Sequence, residues 1–248
     1  MKAWNNYKPE FLGVLIAVLA LNVWYLSSLT IEHRVIPTTY DYIINAIVVI
    51  SAAFFGSYSA YFLSDKKEQT REYNKKINSL NSALFVTLRQ FNALMVIKRE
   101  LVKWENDPSR FINMPPRVNS SYSDLKIDLH GIDFLLRESN PNLLLELAVE
   151  QERFESAIMA CSMRNDFHYK ELQPALNAIN FNIQNPTIQQ LETAVGPKIA
   201  GTALKSTENV FSHVYLTHDS LSKIHSQLYK TAKELFPNET FIIFEPHA

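Results

Sequence analysis

Two long apolar segments open the chain and are separated by a short polar stretch. Residues 11–31, which include FLGVLIAVLALNVWYL, carry no charged side chain, and residues 42–64 carry none either. A helix needs about 20 consecutive apolar residues to cross a bilayer, and both segments meet that length. The intervening stretch from Glu32 to Asp41 contains Pro37 and suits a tight loop. The pattern predicts a membrane hairpin over residues 1–64, with spans at about 11–31 and 42–64.

A cleaved signal peptide is the alternative interpretation of the first segment. Its apolar part is longer than that of a signal peptide, no small-x-small cleavage site follows it, and the second segment comes directly afterwards. We therefore expect the first segment to remain in the protein as a span.

Basic residues predict the orientation of the hairpin. Lys2 and Lys8 precede the first span, and the loop between the spans contains only Arg34. Directly after the second span comes a cluster that we call the basic collar: Lys66, Lys67, Arg71, Lys75 and Lys76. Lysine and arginine concentrate on the cytoplasmic side of membrane proteins. We therefore expect a multi-pass protein of the bacterial inner membrane with both termini in the cytoplasm.

Small residues recur along both spans and predict a membrane packing face. Gly13 and Ala17 lie on the first span, and Ala52, Gly56 and Ala60 recur at every fourth position of the second. Small residues let helices approach closely, so either packing within the hairpin or oligomerisation would use this face.

Asn22 lies near the bilayer middle when residues are counted from the inner boundary at about 1.5 Å each. Its amide needs a hydrogen-bond partner at that depth, so it either joins two helices or lines a polar path. Neither span contains an acid or base for a proton relay or an ion-coupled transporter.

Beyond residue 64 a charged sequence, DKKEQTREYNKKI, passes without a proline into a stripe of apolar residues at helical spacing. The stripe comprises Ile77, Leu80, Leu84, Leu88, Phe91 and Met95. The pattern predicts one helix from Tyr42 to about Trp104, in which residues 65–106 continue from the membrane into a bundle. This helix is either a simple stalk or a lever that couples the bundle to the membrane. Asp107-Pro108 ends it.

The remainder predicts a cytoplasmic helical domain over residues 107–248. Helices are expected at about 123–136 from a Ser123 cap, at 141–170 from an Asn140 cap, at 186–194 from an Asn185 cap, and at 202–235. Only five glycines are present, too few for the tight turns of a strand-rich fold. The fold class is therefore all-α, a two-span transmembrane hairpin followed by a cytoplasmic helical bundle.

The chain closes on an apolar run, Phe241, Ile242, Ile243 and Phe244, which is too short for a span. Apolar side chains of this size are not left in water. We expect this run to be a docking tail on the bundle; association with a partner or with a second copy is the alternative.

Candidate chemistry is sparse. His213, His218 and His225 are not spaced as helical metal ligands, and Cys161 and His168 are seven residues apart on one predicted helix. Residues 196–202 resemble a phosphate loop only superficially, since the lysine does not follow the second glycine. Glu150, Glu152 and Glu155 are expected on an exposed helix face. We predict no catalytic residue, cofactor site or metal site, and therefore no enzyme.

The net charge and the cysteine content limit the kinds of partner that are expected. A net charge of −1 argues against a general attraction to nucleic acid, and the single Cys161 excludes an intramolecular disulfide. The expected partners are the lipid bilayer, further copies of the chain, and a cytoplasmic protein or ribonucleoprotein, with no direct sequence-specific binding of nucleic acid.

The order and approximate size of these parts resemble the two-transmembrane effector proteins of bacterial retron anti-phage systems. The resemblance lies in the layout and not in any diagnostic motif. It implies a toxin held inactive by a reverse transcriptase with its RNA–DNA product, which is released during infection to damage the membrane and stop growth.

Two functions therefore follow as expectations. The first is a non-enzymatic inner-membrane effector of antiviral defence that perturbs the membrane when its cytoplasmic domain is released or triggered. The alternative is a membrane-tethered scaffold or sensor that recruits a cytoplasmic protein.

Overall fold

The structure is a computed structural model that describes residues 2–33, 41–117, 122, 124–138 and 140–243, with backbone only at 2–13, 16, 41, 42, 44 and 138. The described residues are helical or irregular and contain no strand, so the fold class is all-α as expected. The helices are α1 (Lys2–Glu32), α2 (Asp41–Val102), α3 (Arg110–Asn113), α4 (Leu135–Glu138), α5 (Pro141–Phe167), α6 (Gln173–Ala178), α7 (Ile188–Val195) and α8 (Pro197–Leu235). A π-helical turn (His168–Leu172) joins α5 to α6.

The chain divides into two compact units, an N-terminal unit (Met1–Asn74) and a C-terminal unit (Lys75–Ala248). Helix α2 contributes to both. The division of the sequence at residues 64 and 106 stays a prediction.

The N-terminal unit contains a helix that could cross a membrane. By length and composition, Asn45–Val102 within α2 is long and apolar enough, and no residue of its most apolar stretch is buried. Residues Ala17–Glu32 of α1 form a shorter apolar helix. The connecting residues 34–40, including Arg34, lie outside the described residues.

The C-terminal unit is built around a core shared by α2, α5 and α8. Leu80, Leu84 and Leu94 of α2 are fully buried, as are Leu147 of α5 and Leu228 of α8. Each recurs at helical spacing along an amphipathic face, which is why these segments are helices that pack together. Burying a leucine side chain contributes about 1.5–3 kcal/mol, so this face dominates the stability of the unit.

The helix expected at 123–136 is wrong, because only Leu135–Glu138 is helical and Ser123 lies outside the described residues. Residues 125–128 are irregular, and residues 129–134 form turns. Gln90 Nε2 donates to the Leu125 carbonyl at 2.8 Å, and Gln151 Oε1 accepts from the Ile127 N–H at 3.1 Å. These side chains satisfy backbone groups that a helix would have paired internally.

The helix expected at 141–170 continues to Ala178, past Pro174. Its cap is as predicted, since Asn140 Oδ1 accepts from the Leu143 N–H at 3.3 Å. Proline lacks an N–H and clashes with the preceding turn of an α-helix. The wider π turn accommodates it, with the Gln173 N–H bonded to the His168 carbonyl.

Two further boundaries differ from the expectation. Helix α7 is capped by Thr187, not by Asn185, and Thr187 forms a capping box with Gln190. Helix α8 begins at Pro197, five residues before the predicted start, because Gly196 takes a positive φ of 86° and stops α7 there. Gly201 then lies inside a helix.

Candidate functional site: an exposed apolar surface and a cavity beside Arg164

The N-terminal unit exposes apolar side chains on both of its helices. Leu19, Leu21 and Val23 of α1 are more than half exposed, as are Ile47 and Phe54 of α2. In water such a surface would be strongly unfavourable, whereas lipid tails solvate it without cost. The surface is therefore suited to a bilayer.

A hydrogen bond joins the two helices of this unit. Trp24 Nε1 donates to Asn45 Oδ1 at 2.9 Å. Asn22 donates through Nδ2 to the Val18 carbonyl of its own helix at 2.8 Å, a bond to a carbonyl one turn earlier that satisfies part of the amide locally. Its role in joining two helices or lining a polar path stays a prediction.

The membrane packing face is exposed within the chain. Ala17, Ala52, Gly56 and Ala60 are all exposed. For Gly13 the structure describes the backbone only. A Cβ atom added at Gly56 would meet no described atom within 4 Å. Among the described atoms, none of α1 packs closely against Gly56, and use of this face within the hairpin or between copies of the chain stays a prediction.

The basic collar is solvated for most of its length. Lys66, Lys67, Arg71 and Lys75 are exposed, and Arg71 forms a 3.7 Å ion pair with Glu68. Lys76 is half-buried, with its ammonium 5.4 Å from the centre of the Phe134 ring. Its role in lipid contact stays a prediction.

The apolar tail enters the core of the C-terminal unit. Phe241 is 6 % exposed and lies 6.4 Å from the ring of Phe236, Ile242 is partly buried against the core, and Ile243 is exposed. Asn81 of α2 holds this segment by donating to the Thr240 carbonyl at 3.3 Å and accepting from the Ile242 N–H at 3.1 Å. Phe244 lies outside the described residues.

Glu150, which was expected on an exposed helix face, is buried. Glu150 is 5 % exposed, and its carboxylate accepts from Arg153 Nη1 at 2.5 Å and from Ser220 Oγ at 2.6 Å. His225 is 3 % exposed, with Nδ1 2.9 Å from Thr87 Oγ1, and His213 is exposed. Sequence spacing misassigned Glu150 because Arg153 neutralises its charge and Ser220 donates a hydrogen bond to it inside the protein.

A cavity of about 340 Å³ lies in the C-terminal unit between α2, α5, α8 and the loop after α3. Its apolar walls are Ile97, Leu101, Trp104, Met114 and Val210. Its polar walls are Glu100, Arg117, Cys161, Arg164 and Asn165. Asn165 fixes the loop by donating to the Arg117 carbonyl at 2.6 Å and accepting from the Arg117 N–H at 3.1 Å.

Arg164 is the buried cation of this cavity, only 3 % exposed. Its Nη2 donates to the Met114 carbonyl, and its Nη1 is buried with no hydrogen-bond partner among the described residues. Burial lowers the pKa of Arg164 to about 10, so the side chain is still charged at neutral pH. Sequence reasoning missed Arg164, although a basic residue three positions after Cys161 on an apolar helix face was a usable signal.

Cys161 and His168 do not form a nucleophile and base. Burial raises the pKa of the Cys161 thiol to about 11, which keeps it protonated. Burial, with the nearby Arg164 charge, lowers the pKa of His168 to about 4, so its imidazole is neutral. Gln173 Nε2 and His168 Nε2 are 3.0 Å apart, an arrangement in which the amide donates.

Within the part of the chain that the structure describes, no three histidine, cysteine or acidic side chains are grouped to hold a metal ion. Comparison with protein-family models, with curated proteins and with solved structures gives no match. The proposed function therefore rests on the exposed apolar surface of the N-terminal unit and on the cavity beside Arg164.

Proposed function

We propose that this protein is a non-enzymatic effector of the bacterial inner membrane, in which a two-span hairpin perturbs the bilayer when a cytoplasmic helical domain is released or triggered. One observation supports the proposal most. Helix α2 supplies both the exposed apolar surface of the N-terminal unit and the buried stripe of the C-terminal unit. The same helix therefore serves the membrane and the core that would receive a signal.

The second span is supported by α1. This helix has 31 residues, and its charge-free run at 11–31 is long enough to cross a bilayer. The Trp24–Asn45 hydrogen bond ties it to α2. With both spans inserted and the basic collar inside, both termini lie in the cytoplasm.

Self-association through the packing face is the step that would turn an anchor into a membrane lesion. Gly56 can be tested directly, because a larger side chain there has room within a single chain. Gly56→Leu should leave the folded protomer intact and obstruct only close contact between copies. Ser57→Leu, which adds a side chain of the same size one position further round the helix, is the matched control.

The test measures membrane potential with a potential-sensitive dye after induction of the protein. Wild type and Ser57→Leu should depolarise the membrane, and Gly56→Leu should depolarise it less at equal protein level. An unchanged potential for the wild type, with and without the neighbouring genes of its locus, would contradict the effector proposal. Equal depolarisation by both leucine variants would contradict a role of the membrane packing face in the effector proposal.

The alternative function is a membrane-tethered scaffold or sensor that recruits a cytoplasmic protein. It is favoured by the cavity beside Arg164, a feature that a simple membrane toxin does not need. Replacing residues 1–64 with an unrelated two-span hairpin distinguishes the two functions. A tether would retain its activity with the foreign spans, and an effector would lose it.

The setting in anti-phage defence rests on the layout shared with retron effectors. The corresponding partner would be a reverse transcriptase with its RNA–DNA product, which would suppress the effector until infection. Growth after induction, measured with and without the adjacent genes, tests this setting. Toxicity that no neighbouring gene relieves would argue against an inhibitor of this kind.

A further inference from the structure

The cavity beside Arg164 contains a buried charge that no described residue neutralises. Transferring a guanidinium out of water is costly unless an anion or a full set of hydrogen-bond acceptors replaces the lost hydration. Arg164 has one acceptor, the Met114 carbonyl, and its Nη1 is buried without another among the described residues. Such a site is strongly stabilised by an anion that reaches the guanidinium.

The acidic residue on the cavity wall does not supply that anion. Glu100 is more than half exposed, and its carboxylate forms a 2.8 Å ion pair with Lys103. Hydrogen bonding and charge attraction from Lys103, with a smaller attraction from Arg117, lower the pKa of Glu100. Arg164 lines the cavity, and the other described walls offer no carboxylate besides Glu100.

A second guanidinium belongs to the same cavity. Arg117 is held in place through its backbone by Asn165, and its Nη1 makes a long 3.3 Å bond to the Val96 carbonyl. Arg117 and Arg164 each favour the thiolate of Cys161 against the effect of burial, so both act on the same wall. Two guanidiniums at one site match the paired oxygens of a carboxylate or phosphate.

The rest of the cavity is apolar. Trp104, Leu101 and Val210 line it, and its volume of about 340 Å³ lies at the lower end of the range for small-molecule pockets, about 300–1,000 Å³. An inorganic anion would leave these walls uncovered. A ligand with an apolar body would fill them.

We propose that the cavity between α2, α5, α8 and the Pro115–Arg117 loop binds a small amphipathic oxyanion, through Arg164 and Arg117 at the charged end and Trp104 and Leu101 at the apolar end. The oxyanion is a carboxylate or a phosphate ester. This binding site stands whether or not the protein damages membranes.

Calorimetric titration of the full-length protein in detergent tests the site with four probes: 1-naphthoate, 1-naphthyl phosphate, the neutral 1-naphthamide and inorganic phosphate. We expect at least one naphthyl anion to bind about tenfold or more tightly than the amide, because hydrogen bonds to charged groups are the stronger ones. The amide also measures partition into the micelle. Comparison of 1-naphthoate with 1-naphthyl phosphate shows whether the site prefers a carboxylate or a phosphate ester.

Arg164→Met should weaken the preferred anion about tenfold or more, with binding of the amide unchanged. Arg117→Gln should weaken binding of the preferred anion by a smaller factor. If Arg164→Met does not fold, Arg117→Gln provides the test, because the backbone of residue 117 holds the loop. Lys230→Gln removes one exposed charge elsewhere on α8 and should bind as wild type does.

Three results would overturn the proposal. The first is no saturable binding of either naphthyl anion up to about 10 mM. The second is equal affinity for the amide and the anions, which would leave an apolar cavity only. The third is wild-type affinity in both arginine variants. Equal binding of inorganic phosphate would refute the apolar half of the site.

Discussion

Gln90 and Gln151 are polar side chains whose burial organises the irregular part of the C-terminal unit. Gln90 is fully buried and donates both to the Leu125 carbonyl and to Gln151 Oε1, each at 2.8 Å. Gln151 in turn accepts from the Ile127 N–H. The two glutamines thus pair the Leu125 carbonyl and the Ile127 N–H, which lie in a segment without regular helix.

Gln90→Leu should therefore lower the free energy of unfolding by about 1–3 kcal/mol, the cost of leaving buried polar groups unpaired. Hydrogen exchange of the amides at 124–134 should accelerate more than that of the α8 core. Asn92→Leu, at an exposed position of α2, should change stability little. Unchanged exchange at 124–134 in Gln90→Leu would show that the turns hold without this network.

His168 makes stability depend on pH. Burial and the Arg164 charge lower its folded pKa to about 4, below the ordinary 6.5. The unfolded state therefore binds the proton more readily, and stability is complete above about pH 6.5 and falls as pH drops towards 4. The loss reaches about 1–3 kcal/mol at the lower end of that window.

His168→Gln should flatten the dependence of the midpoint of thermal unfolding on pH between about 6.5 and 4. Part of the pH dependence will remain, because burial also lowers the pKa of His225. His213→Gln, at an exposed site, is the matched control and should leave the wild-type slope. An identical slope in His168→Gln would mean that the pKa of this imidazole is the same in the folded and the unfolded protein.

The packing of buried residues shows where sequence patterns succeed and where they do not. Leu80, Leu84 and Leu94 are apolar residues at helical spacing, and they are buried as their pattern predicts. Glu150 breaks the rule because Arg153 and Ser220 pair its carboxylate inside the protein. Ser220 is 70 positions away, so no local pattern reveals it.

At the scale of elements, α2 is the helix on which the proposed function depends. It runs unbroken from Asp41 to Val102. The proposed effector needs this continuity if a change in the core is to reach the spans, whereas a tether does not. A break in the exposed middle of α2 therefore distinguishes an effector from a tether.

Glu72→Pro should abolish membrane depolarisation, because proline in a helix interior removes a hydrogen bond and kinks the helix at a cost of about 3 kcal/mol or more. Glu72→Ala keeps the helix and should behave as wild type. Circular dichroism and membrane fractionation confirm that both proteins fold and insert. Full depolarisation by a folded, inserted Glu72→Pro protein would leave only the function of a tether.

The junction of α5 and α6 was not predictable from Pro174. The proline was expected to end regular structure, yet the helix passes through it by widening into a π turn at His168–Leu172. The choice depends on Leu172, which is 1 % exposed in a second small core with Leu191 and Ala200. Tertiary packing stabilises the widened turn, and the local sequence alone favours a stop.

At the scale of the whole molecule, the predicted orientation places both termini in the cytoplasm. A reporter that is active only outside the cytoplasm should be silent when fused after Ala248 and active when inserted between the two predicted spans, at residues 34–40. The asymmetry of basic residues, with the collar on one side and Arg34 on the other, is the physical reason. Activity of the fusion after Ala248 would invert the topology and place the C-terminal unit outside the cytoplasm.

Properties that depend on neighbouring residues could be read from the chain alone. The apolar run in the second segment, the stripe from Ile77 and the cap at Asn140 each act over a few turns of helix, so the all-α class and the long α2 were predictable. The Gln90 network, the paired Glu150 and the buried Arg164 required the fold, because they join residues 35, 70 and 50 positions apart. Partners at such separations are chosen by packing, which periodicity does not encode.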